Sequence, residues 1–560
     1  MKKFKQTPLW QSIFIGLVIS TVITLIFDYL LPTPWNFRSE ATWFKAFFVF
    51  ALYAFINAIV VSLNQGTFET NRHKKLIILP FALPAIMIPA FFICMITGAE
   101  FFNAKNYANI IQVEQVESGD AILSEKDAES IALMDTTSAK QLGDREIGAI
   151  ENFSAFNVSD DYIQLNIKGD AVKVAALEYI GLFKWMSNRN EGVTGYVSVS
   201  PTTMTAEYVK LSEGMKYIPS AYFNEDLNRH LHYQFPTLIY GNIHFEVDED
   251  GKPYYVSSVY DKTIGLFGGE IVIGAIVTDP VTGNSEYYDV ADIPQWVDYV
   301  FPGDLICNLY DIAYKNVNGF WNGTSFGANT GCMQTTKIDN YYEEDGEVYI
   351  EAGNDYGYIA KDGDIYVYTG ITSMAADSSN LGFIMVNERT GQYKYFAVSS
   401  ANEQSAMNAA EGEVQQYGYE ASFPTLINVD NELSYIGVLK DNSGLVKMYY
   451  MVNIKDYGKV VVADSRETCI KKYAEKLGLQ INSGIIGNIP GNDATEEATP
   501  VEFVISVLQY VDIDGNTYVY MGTEDGSVYK ALFKDNEKLL FAKVGDTIKG
   551  SVANGILTVE

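Results

Sequence analysis

Phe235-Pro236-Thr237-Leu238-Ile239 recurs intact as Phe423-Pro424-Thr425-Leu426-Ile427 in the later part of the chain. Its surroundings recur with it. Upstream, Gly195-Tyr196-Val197-Ser198-Val199 opens an alternating apolar pattern, and Gly382-Phe383-Ile384-Met385-Val386 opens another at nearly the same spacing. Downstream, Tyr260-Asp261 followed by Gly265-Leu266 corresponds more loosely to Lys440-Asp441 followed by Gly444-Leu445. Anchors repeated in the same order imply one ancestral unit used twice. The two copies are expected over residues 140–305 and 306–483.

Period and punctuation give the contents of the unit. Alternating runs at 195–209 and 382–398 predict strands, turned at Pro201-Thr202-Thr203 and Arg389-Thr390-Gly391. A helix is predicted next, over 224–233 in the first copy and 401–416 in the second, where Met407, Ala409, Ala410 and Glu411 favour it. Paired strands follow the shared motif, as at 243–247 and 254–259 around the hairpin dipeptide Asp250-Gly251. Each copy is expected to close on a helix, at 292–300 and 465–477. Strand pairs alternating with single helices make an α+β fold, an antiparallel sheet with helices on one face.

Outside these anchors, residues 124–149 predict a helix capped by Ser124 and ending near Gly143 or Gly148. The second copy opens on hairpin signals at Asp345-Gly346 and Asp362-Gly363. Residues 484–500, with Pro490, Gly491, Glu496 and Glu497, read as an acidic linker. Beyond it, residues 501–560 hold short alternating runs separated by Asp514-Gly515, Asp525-Gly526, Asp535-Asn536, Gly545-Asp546 and Asn554-Gly555. That spacing predicts a small closed β-barrel of OB or SH3 type.

The helix over 127–144 and the hairpin from Val247 through Asp250-Gly251-Lys252-Pro253 to Val256 resemble the helix and paired strands of PepSY-type domains. The resemblance implies a cystatin-like architecture and a setting in the bacterial envelope, where such domains sometimes regulate peptidases. It carries no catalytic residue. The overall plan also resembles that of Gram-positive membrane-anchored proteins.

That plan includes a distinct N-terminal region. The 560-residue chain has a net charge of −31, yet residues 1–99 carry eight basic and three acidic side chains, a net of +5 that leaves −36 for the rest. Within this basic end, apolar stretches at 12–31, 46–63 and 76–96 are each near the ~20 residues that span a bilayer. The first is read as an uncleaved anchor, because the bulky Asp28-Tyr29-Leu30-Leu31-Pro32 lacks a small-x-small cleavage site. Lys2, Lys3 and Lys5 before the first stretch, and Arg72, Lys74 and Lys75 between the second and third, place both segments in the cytoplasm. Three crossings then leave everything beyond about residue 99 outside the cell, with 100–139 as connector and helix.

Within the spans, Ser12, Gly16, Ser20 and Thr24 recur every four residues, a stripe that suits close helix packing within the bundle. Asp28 is expected near the outer end, its carboxylate reaching water. Asn57 is expected to hydrogen-bond a neighbouring helix. Pro80, Pro84 and Pro89 are expected to kink the third span.

Little catalytic material is present. His230 and His232, with His244 nearby, have the composition of a three-nitrogen zinc site, but the helical reading of their segment separates the first two rings and leaves surface histidines as the expectation. Gly323-Thr324-Ser325-Phe326-Gly327 spells GxSxG among turn formers, with no histidine after it, so a glycine-rich loop is expected instead of a nucleophile elbow. A bridge between Cys307 and Cys332 would close the intervening loop, with reduced cysteines as the alternative. No catalytic, cofactor-binding or metal-ligating residue is therefore assigned. Calcium is the one ligand held open, at the turn carboxylates Asp248, Asp250, Asp512, Asp514, Glu524 and Asp525, whose spacing fits no EF-hand. The acidic charge excludes nucleic acid. The sequence predicts a non-enzymatic, membrane-anchored extracytoplasmic scaffold that self-associates or binds an envelope protein. The alternative is an envelope enzyme, peptidase regulator or transporter accessory subunit.

Overall fold

A computed structural model describes residues 9–65, 75, 77–116, 123–124, 133–146, 153–344, 347–354, 356–429, 432–479, 499–513, 516–523, 528–533, 536–553 and 556–559. Outside these residues lie most of the linker expected at 484–500, the Asp345-Gly346 turn, Lys2, Lys3, Lys5, Arg72, Lys74, Asp514, Glu524 and Asp525. The chain divides into two compact units, residues 1–116 with 139–397 and residues 117–138 with 398–560.

Three helices are long and apolar enough to cross a membrane, with mean hydropathy of 2.2 to 2.3. They are α1 (Leu9–Leu30), α2 (Glu40–Gln65) and α3 (Ala82–Gly98), the last preceded by a 3-10 turn, Leu79–Phe81, that takes in Pro80. Pro89 is accommodated inside α3. Ser12 and Ser20 are buried, and a Cβ on Gly16 would lie 3.3 Å from the Asn57 Cα. The small-residue stripe therefore lets α1 approach the backbone of α2.

A single extended residue, Ala99, separates α3 from α4 (Glu100–Ala108). Then come β1 (Val113–Gln115), β2 (Leu123–Ser124) and α5 (Thr136–Glu146). Ser124, expected as a helix cap, lies in a strand instead. The cap is Asp135, whose carboxylate accepts the Ser138 N–H at 2.9 Å. The helix ends at Glu146, between the two expected ends, and at Gly143 the Tyr162 hydroxyl lies where a Cβ would be.

The first unit continues with β3 (Phe156–Val158), β4 (Ile163–Ile167), β5 (Asp170–Tyr179), α6 (Leu182–Asn188), β6 (Val193–Ser200), β7 (Thr205–Met215) and α7 (Leu227–Gln234). A meander follows, β8 (Ile239–Val247), β9 (Pro253–Ile264), β10 (Gly268–Thr278) and β11 (Ser285–Asp289), and then α8 (Gly303–Lys315). The helix expected at 292–300 does not form. Pro294 and Pro302 bracket an irregular segment, and the helix begins only after Pro302 at its N-cap. The expected boundary between residues 305 and 306 thus falls inside α8.

The strands β12 (Met333–Thr335), β13 (Lys337–Glu344), β14 (Glu347–Asn354), β15 (Gly357–Lys361), β16 (Asp364–Ser373), β17 (Ala376–Asn387) and β18 (Tyr393–Phe396) complete this unit. Its sheets run β3-β5-β6-β7 with β4 on β5, β11-β10-β9-β8, and β1-β18-β17-β16-β12 with β15 on β16, beside the ribbon β13-β14. The second and third share one core. Val256, Ala275 and Val277 from the meander meet Ile306 and Tyr310 of α8 and Val367, Ile384 and Val386 of the third sheet.

The second unit holds β19 (Ser400–Ala401), α9 (Glu403–Glu413), β20 (Glu420–Ala421), the meander β21 (Thr425–Val429), β22 (Glu432–Lys440), β23 (Val446–Asn453) and β24 (Val460–Ala463), and α10 (Arg466–Leu477). Asn402 and Ser465 cap α9 and α10 through their side chains. The sheet runs β2-β21-β22-β23-β24, with β20 on β22. The C-terminal strands β25 (Thr499–Val504), β26 (Val507–Ile513), β27 (Asn516–Gly522), β28 (Val528–Leu532), β29 (Thr547–Ala553) and β30 (Ile556–Val559) form one sheet in the order β25-β29-β30-β28-β27-β26, over a core that includes Val519, Met521, Leu539 and Leu557. The whole is α+β with several sheets behind three membrane-length helices.

Two glycines hold back tyrosine rings of the following strand. A Cβ on Gly195 would stand 2.5 Å from the Tyr208 ring, and one on Gly382 would stand 2.6 Å from the Tyr395 ring. Gly195→Ala and Gly382→Ala are each expected to cost about 1–3 kcal/mol by overpacking. Gly412→Ala, with open space at its Cβ in α9, is expected to be neutral or stabilising. Thermal unfolding in detergent compares the three.

Candidate functional site

The histidines expected at the surface are in three different surroundings. His230 on α7 stacks on Tyr217 with ring centroids 4.5 Å apart, and its Nε2 lies 2.6 Å from the Gly283 carbonyl. His232, two positions on, is buried on another side of the helix, and His244 is buried in β8. Helical spacing separates the first pair, as the sequence implied; burial of the other two was hidden because their partners are distant in sequence. Among the described residues no group of three or more His, Cys, Asp or Glu is placed to hold a metal ion.

His232 belongs to a junction between the spans and the sheets. Asp28, expected to reach water, is buried and ion-paired with Lys45 of α2. Lys45 Nζ also donates to the Thr33 carbonyl at 3.0 Å and stands 3.9 Å from the centre of the Trp35 ring. His232 Nε2 lies 3.5 Å from the other Asp28 oxygen. Burial lowers the pKa of His232, which Asp28 opposes and Lys45 reinforces. Asp28 is buried for a simple reason. A carboxylate near the end of a span finds its counter-charge on the adjacent helix, and α7 closes over both.

Around this pair the motif Phe235-Pro236-Thr237 follows α7 and turns its main chain toward the loop after α1. Trp35 N–H donates to the Pro236 carbonyl at 2.7 Å, and Asn36 Nδ2 donates to the Thr237 carbonyl at 3.0 Å. Arg229 Nε donates to the Tyr29 carbonyl at 2.8 Å, and its guanidinium lies 4.4 Å from the Tyr29 ring. On the other side, the turn between β9 and β10 reaches the bundle. Phe267 packs on Phe91 of α3 with centroids 5.2 Å apart, and a Cβ on Gly265 would lie 2.8 Å from the Gly98 Cα. Arg38 pairs with Asp261 nearby.

A second polar centre lies where the three sheets of the first unit meet. Glu246 of β8 and Glu388 after β17 have no exposed surface, and Asp298 and Lys173 are each 1% exposed. A bulge between Gly241 and Ile243 holds Asn242 at φ 49. The Asn242 carbonyl is thereby 2.7 Å from His244 Nδ1, while His244 Nε2 is 2.7 Å from Glu246 Oε1. Glu246 also accepts the Asp298 N–H at 3.0 Å and the Tyr299 N–H at 3.2 Å. Asp298 accepts the Asn166 N–H at 2.5 Å.

Among the described residues, neither carboxyl oxygen of Glu388 finds a hydrogen-bond partner. Burial, followed by Asp298 and Glu246, pushes its pKa well above the carboxylate range, against the pull of Lys173. Burial and Glu246 likewise raise Asp298. The centre thus sets two acids of raised pKa beside a buried lysine, where three sheets meet. No sequence pattern signals it, since its members are single residues scattered between 166 and 388.

The other candidates are structural. Gly323 and Gly327 sit where a Cβ would strike the Lys315 and Asn322 carbonyls, so the GxSxG glycines serve a tight loop in which Ser325 is exposed. Cys307, Cys332, Cys469 and Cys94 are free thiols. The Asp248 carboxylate accepts the N–H groups of Asp250 and Lys252, each at 2.9 Å, and so caps its own turn. Asp250 is exposed, 3.7 Å from Lys168.

No family model matches the chain, and no curated protein matches it. Among solved structures, a levansucrase mutant from B. megaterium aligns at 10% identity over 80% of this chain and 95% of that one, with a TM-score of 0.18. A score of that size carries no argument about fold or activity.

Two outcomes follow from the geometry. Lys45→Met leaves Asp28 buried without its counter-charge and is expected to cost about 3–5 kcal/mol, whereas Asp28→Asn combined with Lys45→Met is expected to recover most of that. Chemical unfolding of the detergent-solubilised protein measures both. For Glu388, the native state keeps a proton that the unfolded chain releases above the ordinary value of 4.5, so stability falls as pH rises from there toward the raised pKa. Glu388→Gln is expected to match the parent at pH 4 and to exceed it increasingly up to pH 8, read as a pH series of thermal midpoints.

Proposed function

We propose that the chain is a non-enzymatic, membrane-anchored scaffold of a bacterial envelope, its N-terminus cytoplasmic and its large C-terminal part extracytoplasmic. The observation that carries this reading is the keyed junction. Asp28, Lys45 and His232, the carbonyls of Pro236 and Thr237, and the Gly98–Gly265 approach join spans and sheets at several separate points. Such a head is held in a set orientation over the bilayer, which a tethered diffusing enzyme does not need and a binding platform does.

The platform reading draws further support from element order. α7, the first FPTLI and the meander β8–β11 are matched by α9, the second FPTLI and the meander β21–β24. The turns Lys168-Gly169 and Asp362-Gly363 both have positive φ at both positions. Gly195 with Tyr208 and Gly382 with Tyr395 repeat the same glycine-under-ring contact, at nearly the spacing of the FPTLI motif. We read these as two copies of one α+β unit, with residues 501–560 as a barrel-like contact module. Two similar faces in one chain raise avidity without any new contact. The net charge of −36 beyond residue 99 opposes casual association, so assembly is expected to strengthen as salt or divalent cations screen it.

An enzyme is the second reading, favoured only by the raised acids Asp298 and Glu388. Cross-linking in native membranes followed by mass measurement in detergent separates the two. Oligomers or a stable protein partner support the scaffold. A monomer without partners, with a hydrolytic activity abolished by Glu388→Gln, overturns it. Impermeant labelling of cysteines placed at 68 and 250 tests orientation: 250 is expected to react from outside and 68 to be protected.

A further inference from the structure

Beside the exit of α3 lies an aromatic patch that the fold leaves open. Phe101 and Phe102 follow Gly98 closely on α4 and are 49% and 64% exposed. Phe320 and Trp321 meet Phe101 edge to face at centroid distances of 5.4 and 5.8 Å. Trp321 is 64% exposed, and Phe326, at the tip of the GxSxG loop, is 92% exposed. Contiguous exposed apolar surface of this kind marks a contact with something apolar.

The loop itself is suited to a partly dehydrated zone. Residues 316–331 contain no Asp, Glu, Lys or Arg, in a chain of net charge −31. Its polar groups bond one another. Asn322 Nδ2 and Oδ1 pair with the Thr330 carbonyl and N–H at 3.0 and 3.1 Å, Asn318 Nδ2 donates to the Thr330 carbonyl at 2.8 Å, and the Gly327 N–H meets the Thr324 carbonyl at 2.9 Å. The two charges at its base neutralise each other, Lys315 lying 3.2 Å from Glu100. Asn316 Nδ2 also donates to Glu100 at 2.9 Å, which locks the loop's base to the first residue of α4.

A second patch stands at the exit of α1. Phe183 and Met186 of α6 are 81% and 56% exposed, and Phe223 packs on Trp185 at 5.6 Å. Arg229 binds the Phe223 carbonyl and the Tyr29 carbonyl together, and the Tyr29 hydroxyl donates to Asn224 at 3.2 Å, so this patch too is fastened to the end of a span.

We propose that the 316–331 loop, with Phe101 and Phe102, is an interfacial membrane anchor that seats Trp321 and Phe326 in the headgroup and upper acyl zone of the bilayer crossed by α1–α3, and that the α6 patch does the same at the exit of α1. The occupant is lipid because the patch is continuous with a span: only Ala99 and Glu100 stand between Gly98 and Phe101. Trp and Phe with neutral surroundings are the composition that this zone selects, and an acidic loop would be repelled from anionic headgroups. The GxSxG glycines are then the means of folding a charge-free loop in which Asn318, Asn322, Thr324, Gly327 and Thr330 bond one another before it meets lipid.

The test uses the full chain in phosphatidylcholine nanodiscs, in a Cys94→Ala background, with a nitrobenzoxadiazole label at Phe326→Cys. Asp250→Cys supplies a label remote from the spans, and Ile86→Cys one on α3. The label at 326 is expected to be shielded from aqueous iodide and quenched by lipids with a nitroxide near the headgroup, that at 250 to be quenched by iodide alone, and that at 86 to be quenched by deep nitroxides. Iodide quenching at 326, or protection there from both quenchers as a second copy or another protein would give, overturns the proposal. Failure at 86 would instead sink the anchoring that it rests on. As a check without labels, quenching of intrinsic fluorescence by brominated lipid is expected to fall in Trp321→Phe, and no change would count against the loop.

Discussion

The buried Asp28–Lys45 pair is the constraint around which the first unit is organised. Two opposite charges withdrawn from water at the end of a span are tolerable only together and only with their remaining bonding capacity met. The Thr33 carbonyl, the Trp35 ring and His232 meet it. They come from the loop after α1 and from α7, so satisfying the pair fixes both. From α7 the order propagates, because the motif that ends it hands its carbonyls to Trp35 and Asn36 and then enters β8.

A different economy governs the interior of the sheets. Glu246 accepts backbone N–H groups from Asp298 and Tyr299, whereas Glu388 accepts none among the described residues, and burial pushes its pKa up. Placing both within one network, with Lys173 and His244 beside them, spreads the charge over a region that three sheets must close together to bury. An apolar core of equal volume would hold the sheets without specifying their register. In the polar centre, sliding would break the bonds that hold Glu246 to His244, Asp298 and Tyr299.

Local signals are readable from the chain and long-range ones are not. The three membrane-length helices follow from hydropathy, and the turn at Asp250-Gly251 and the helical placement of His230 and His232 follow from spacing. Ser124, a good cap in isolation, lies in β2, paired with β21 far along the chain, and residues 125–132 of the expected helix lie outside the described residues. The helix expected before Pro302 forms after it, with Pro302 at its N-cap and an irregular segment between Pro294 and Pro302. Asp28, His232, His244, Glu246 and Glu388 carry no local mark of burial, because each is buried by residues far off in sequence. The GxSxG glycines show the converse, a motif whose spacing invites a catalytic reading and whose Cβ positions are simply occupied.

One residue, Ala99, is all that separates the third span from the helix that follows it, and the β9–β10 turn is pressed against Gly98 at the same place. Together with the α7 contacts to the loop after α1, this gives the sheets of the first unit more than one footing on the helices. A lateral load on the head is then resisted as a couple across the bundle, and no compliant tether is available to absorb it. Torque applied to the sheets would pass into the tilt of α1 and α3, so the first unit resists rotation of its sheets against its three long apolar helices.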